Sequence, residues 1–118
     1  MYRYFFQPAP LGPLLAAELA VRAEPTLGFA HYLRGLQQAG RGLDAAAARS
    51  LEHALALGLP GDSFVRNAAR RLAIVGYRAG EPARVRAAIA VLDRPTQPAI
   101  DRLVAQDWQE RLAFDAAH

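Results

Sequence analysis

Residues 28–61, GFAHYLRGLQQAGRGLDAAAARSLEHALALGLPG, carry two short amphipathic helix patterns separated by a glycine-rich turn. In the first, Phe29, Tyr32, Leu33, Leu36 and Ala39 recur at intervals of three and four, the spacing of one helix face. In the second, over 43–57, Leu43, Ala47, Leu51, Ala54 and Leu55 do the same. The first is expected over 26–39, with Thr26 as its N-cap and Gly40 and Gly42 supplying the left-handed geometry that ends it. Gly58 with Pro60 beyond it ends the second. So short a connection makes the pair an antiparallel hairpin. Gly35 and Ala47 are small and are expected to face each other, letting the axes approach to about 8 Å.

Working outward, residues 1–11 read as an extended arm. Tyr2, Tyr4, Phe5 and Phe6 are aromatic, and Pro8, Pro10 and Pro13 bar a helix before them. Leu14, Leu15, Glu18, Leu19, Val21 and Arg22 then mark a helix over 12–23, which must stop ahead of Pro25. Downstream, Asp62 or Ser63 can cap a helix carrying Phe64, Ala68, Leu72, Val75 and Tyr77 as far as Gly80. Pro82 opens a short helix to Leu92 with Val85, Ala88 and Ile89 on its stripe. A last helix, 96–116, has Thr96 as cap. Its apolar stripe is Ile100, Leu103, Val104, Trp108 and Leu112, and its polar side is Asp101, Arg102, Gln106, Gln109 and Glu110. The fold class is therefore all-α, about six helices in antiparallel hairpins.

The composition narrows the function. A chain of 118 residues forms one domain. It has no cysteine, which removes disulfides, thiolate catalysis and cysteine-ligated metals. No long window is free of charge, so a membrane-spanning helix is not expected. The amino terminus lacks the pattern of a secretory signal, which favours the cytoplasm and leaves the periplasm open for a piece of a longer exported or membrane chain. All 14 basic residues are arginine, as a GC-rich genome encodes, against 11 carboxylates. Six of them (Arg66, Arg70, Arg71, Arg78, Arg84, Arg86) fall in one stretch with a single carboxylate, Glu81. The stretch lacks a recognition-helix signature, a glycine-rich phosphate loop and an interleaved stacking platform, so nucleic-acid binding ranks last.

The hairpin resembles a tetratricopeptide repeat, a helix-turn-helix unit of about 34 residues. Gly35, Gly42, Ala47, Leu51, Ala54 and the Leu59-Pro60 end carry the resemblance, while His31 and Gln38 stand where the family often has large aromatic side chains. Ala17, Ala20 and Pro25 precede Leu51, Ala54 and Pro60 by about one such unit, which makes 12–25 a half repeat. Residues 62–95 align as a further repeat through Ala73, Gly80, Val85, Ile89 and Pro95. That repeat is longer by about four residues, one helical turn, placed at the Pro60–Ser63 junction. Residues 96–116 then serve as a capping helix. The resemblance implies a short right-handed α-solenoid whose concave groove is lined by the first helix of each unit. Carried onto this chain, the lining is Phe29, Tyr32, Leu33, Leu36, Asn67, Arg70, Arg71, Ile74 and Tyr77. A peptide or partner helix is the implied ligand, with an acidic group at Arg70 or Arg71. The plainer alternative makes Tyr32, Leu36 and Ile74 interhelical packing and the arginines a solvated face.

No residue set reads as catalytic, and no cofactor or metal site is expected. Ser50, His53 and Asp44 lie along one regular helix, where they cannot converge on a substrate carbonyl. His31 occupies a packing position, and no paired-histidine zinc motif is present. A second reading makes the chain a structural or self-associating unit through Tyr2, Tyr4, Phe5, Phe6 and Phe114, giving a homo-oligomer.

Overall fold

Proline and glycine punctuate this chain into six helices. In the computed structural model, which describes residues 11–118, these are α1 (Gly12–Ala23), α2 (Gly28–Gly40), α3 (Asp44–Leu57), α4 (Asp62–Arg78), α5 (Pro82–Leu92) and α6 (Ala99–Ala117). The expected arm, with Tyr2, Tyr4, Phe5 and Phe6, lies outside the described residues. Pro13 and Pro82 sit in the first turns of α1 and α5, where a missing N–H costs nothing.

Two turns share one geometry. Gly42 and Gly80 take φ of 75° and 70°, a region only glycine enters freely. After α2 the Leu43 N–H donates to the Gln38 carbonyl at 3.0 Å and the Gly42 N–H to that of Ala39 at 3.1 Å. After α4 the Glu81 N–H donates to the Gly76 carbonyl at 2.9 Å and the Gly80 N–H to that of Tyr77 at 3.0 Å. Both are Schellman-type endings that satisfy the last carbonyls of a helix and reverse the chain.

Each helix packs on its sequence neighbours, and α3 also touches α5. Leu51 of α3, Leu72 of α4 and Val85 and Leu92 of α5 are fully buried and anchor the core. The radius of gyration is 15.6 Å, above the about 13 Å of a compact domain this size, and the extents are 50 × 33 × 21 Å. The molecule is elongated, and the buried residues from Tyr32 of α2 to Ala105 of α6 form one continuous cluster.

Several expectations are corrected. The N-caps of α2, α4 and α6 are Leu27, Gly61 and Pro98, without side-chain capping bonds, in place of Thr26, Asp62 or Ser63, and Thr96. For α6 the reason is Pro98, which keeps Gln97 out of helical geometry and is itself extended at ψ 148°. The Pro60–Ser63 junction holds no insertion. Residues 24–27 and 58–61 connect their helices over equal lengths, while α4 has 17 residues against 13 in α2. Gly35 faces Leu51 rather than Ala47: a Cβ built there lies 2.8 Å from Leu51 Cγ and Cδ2.

The stripe of α6 is also rotated. Ile100 and Leu103 are 64% and 60% exposed, and the inward side is Asp101, Val104, Ala105, Trp108 and Leu112. On α1, Ala17 and Val21 are buried while Leu11, Leu15 and Leu19 face outward.

Candidate partner-binding groove

Helices α2, α4 and α6 lie side by side, and their side chains record the order. Phe29 and Tyr32 of α2 pack edge-on against Phe64 of α4, at ring distances of 5.3 and 5.7 Å. Asn67 of α4 donates from Nδ2 to the Tyr32 hydroxyl at 2.5 Å. Tyr77 of α4 meets Trp108 of α6 at 5.3 Å, and the Arg111 guanidinium lies 4.9 Å from the Trp108 ring and 5.6 Å from that of Tyr77. Pairs earlier in α4 meet residues earlier in α6, so the two helices run parallel.

The junction of α4 with α6 is held by charge. Asp101, in the first turn of α6, is 1% exposed, and Arg70 Nε donates to its Oδ1 at 2.7 Å. Arg66 Nε stands 3.5 Å from Oδ2, within ion-pair range but outside hydrogen-bond geometry. This corrects the assignment of Asp101 to a polar outer side. Two guanidinium groups compensate the carboxylate, so it can be buried where an apolar residue was expected. Sequence windows miss such a pair because its partners lie on different helices. The only local signal is the spacing of Arg66 and Arg70, which puts both on one face of α4.

The predicted lining therefore divides. Tyr32 is buried at 5% exposure and belongs to the core, with Asn67 spent on its hydroxyl. Phe29 and Leu36 are half-buried against that core. Arg70 is committed to Asp101. Arg71 and Arg78 are exposed and make no ion pair among the described residues. Ile74, 41% exposed, lies between them at helical spacing. Leu33, 40% exposed, is the open large apolar residue of α2. Tyr77 is half-buried and donates its hydroxyl to Asp115 Oδ2 at 2.8 Å. That hydrogen bond, then burial, then the Asp115 charge hold the phenol above its ordinary value, with Arg111 opposing.

The arginine stretch is likewise divided. Arg84 pairs with Glu52 and Glu81, and Arg66 and Arg70 pair with Asp101. Among the described residues Arg71, Arg78 and Arg86 remain without an ion pair.

A second polar cluster ties α1, α2 and α3 together. Arg34 donates to Ser50 Oγ at 3.1 Å and approaches His31 Nδ1 at 3.2 Å and Glu18 at 3.6 Å. Ser50 donates on to Gln38 at 2.7 Å. His31 Nε2 lies 2.8 Å from the Pro25 carbonyl, which can only accept, so this nitrogen carries the proton and Nδ1 accepts from Arg34. His31 is 3% exposed and its ring lies 4.3 Å from that of His53. Ser50 is thus hydrogen-bonded to side chains of α2 on both sides. No group of three or more metal-ligating side chains is gathered among the described residues, and no helix there is long and apolar enough to cross a membrane.

No protein-family model matches the chain, and neither a curated protein nor a solved structure matches it significantly.

Proposed function

We propose that the chain is a non-catalytic scaffold, a short right-handed solenoid of tetratricopeptide-like hairpins, that holds a peptide or partner helix bearing an acidic group. The repeat reading is supported by the matched glycine turns after α2 and α4 and by the parallel order of α2, α4 and α6. The binding reading is carried by one observation: Arg71, Ile74 and Arg78 form an open strip on α4, two cations without carboxylate partners among the described residues flanking an exposed apolar side chain. A peptide carrying Glu or Asp beside Leu fits that alternation.

The test replaces Arg71 and Arg78 with Glu and leaves Arg70 in place, because reversing Arg70 would also strand Asp101. Binding of acidic, leucine-containing helical peptides is measured by fluorescence anisotropy. The double variant is expected to lose affinity by at least about tenfold with unchanged helicity. Equal binding by the variant and the parent chain refutes the assignment.

A further inference from the structure

The seam between α5 and α6 is open along its length. Clefts of about 510, 520 and 500 Å³ follow it in a row, joined through Arg86 and Leu112 at one overlap and Asp93 and Gln109 at the other. Its central walls include Arg86, Ala90 and Asp93 of α5 and Gln109, Leu112 and Ala113 of α6. Alanines on both walls leave room for a helix axis to come close. Elsewhere in the fold this kind of seam is filled. Helix α4 lies on α2 and α3, and α5 lies on α3 and α4. By the same progression a further helix would lie on α5 and α6.

At the opposite end, α1 turns Ala17 and Val21 inward and leaves Leu11, Leu15 and Leu19 at 59%, 56% and 63% exposed. Placed in the α5–α6 seam, α1 would run parallel to α5, as α3 does. Arg22, in the last turn of α1, then comes level with Asp93 at the end of α5. Both are exposed and neither is ion-paired among the described residues. The start of α1 comes to Asp115 near the end of α6, and a carboxylate suits a helix N-terminus.

We propose that α1 of one copy docks in the α5–α6 seam of a second copy, so that copies join end to end. The inference rests on the hairpin-array reading, since α5, α6 and the next copy's α1 continue its alternation. The two surfaces differ, so the contact is heterologous and propagates into rows. One helix of 12 residues in a seam covers on the order of 1,000 Å² in total, small for a stable complex, so association is expected at micromolar concentrations and above.

Sedimentation equilibrium of the full chain over a concentration series tests this. The mass is expected to rise with concentration and pass beyond a dimer. Leu15→Glu with Leu19→Glu spoils the α1 face, and Ala113→Arg spoils the seam. All three residues are exposed, so the fold should survive, which circular dichroism checks. Each variant alone should be a monomer, while an equal mixture should associate and stop at the dimer, because one intact face and one intact seam remain. A parent chain that stays monomeric overturns the proposal. So does an Ala113→Arg protein that still associates, which would mean a symmetric α1 pair. A mixture that stays monomeric overturns it too. Small-angle scattering at the lowest concentration separates this from failure of the array, since an intact monomer keeps an elongated profile whether or not copies dock.

Discussion

Asp101 places a carboxylate at 1% exposure in the first turn of α6 and answers it with two guanidinium groups from one face of α4. Removing the carboxylate leaves two like charges facing each other. Asp101→Ala should therefore destabilise the fold by about 2 kcal/mol, short of the full cost of a broken buried pair, because Arg70 is 43% exposed and can turn to water. Asp101→Asn, which keeps the shape and loses the charge, should fall between. Urea midpoints measure both, and an unchanged midpoint for Asp101→Ala would remove the pair from the account. Tyr77 makes a prediction about pH. Its raised phenol means that the folded chain holds this proton more tightly than the unfolded one. The matching stability is present below the unfolded value near 10 and is lost as pH climbs through the raised folded value. Asp115→Asn removes the first cause and should lower the Tyr77 midpoint, read as phenolate absorbance against a Tyr77→Phe background. A midpoint that stays put would mean the hydrogen bond is not its cause.

Between the middles of α2 and α3, a close contact is made by Gly35 against Leu51. Glycine to alanine inside a helix ordinarily gains about 1 kcal/mol from propensity alone. Here the new methyl would lie 2.8 Å from two carbons of Leu51, which is fully buried and cannot retreat. Overpacking of that kind costs about 1–3 kcal/mol, so Gly35→Ala should be net destabilising. Combining it with Leu51→Ala should cost less than the sum of the two, since the added methyl fills part of the space. Gly76→Ala is the control: its Cβ would meet nothing nearer than 3.3 Å, and thermal melts should rank it well above Gly35→Ala. Helix ends were legible in the sequence wherever glycine or proline acts on its own neighbours, as at Ala23, Leu57 and Leu92. The faces of α1 and α6 were not, because which side turns inward depends on what the neighbouring helix offers. Leu15 and Ile100 fit an apolar stripe as well as Val21 and Val104 do, and only packing separates them. The same limit applied to the groove, where Tyr32 and Arg71 looked alike as lining and packing made one core and left the other open.

The helices do not share burial equally. The fully buried leucines belong to α3, α4 and α5, each packed on two sides, while α1 and α6 are packed on one. Opening should therefore begin at the ends and reach the middle last. Native-state hydrogen exchange should find the slowest amides around Leu51 and Leu72 and faster exchange in α1 and α6. Uniform protection across all six helices would mean that the molecule opens as one unit. The greater length of α4 carries a consequence for how the helices could be rearranged. The starts of α2 and α4 meet through Phe29, Phe64, Tyr32 and Asn67, yet α4 runs one turn further before its glycine, and that turn supplies the Tyr77 that receives α6. The two hairpins are thus not interchangeable parts. A chain with a second copy of the first hairpin between α5 and α6 would offer α6 a helix one turn short of that contact, whereas a second copy of α4 and α5 would keep it.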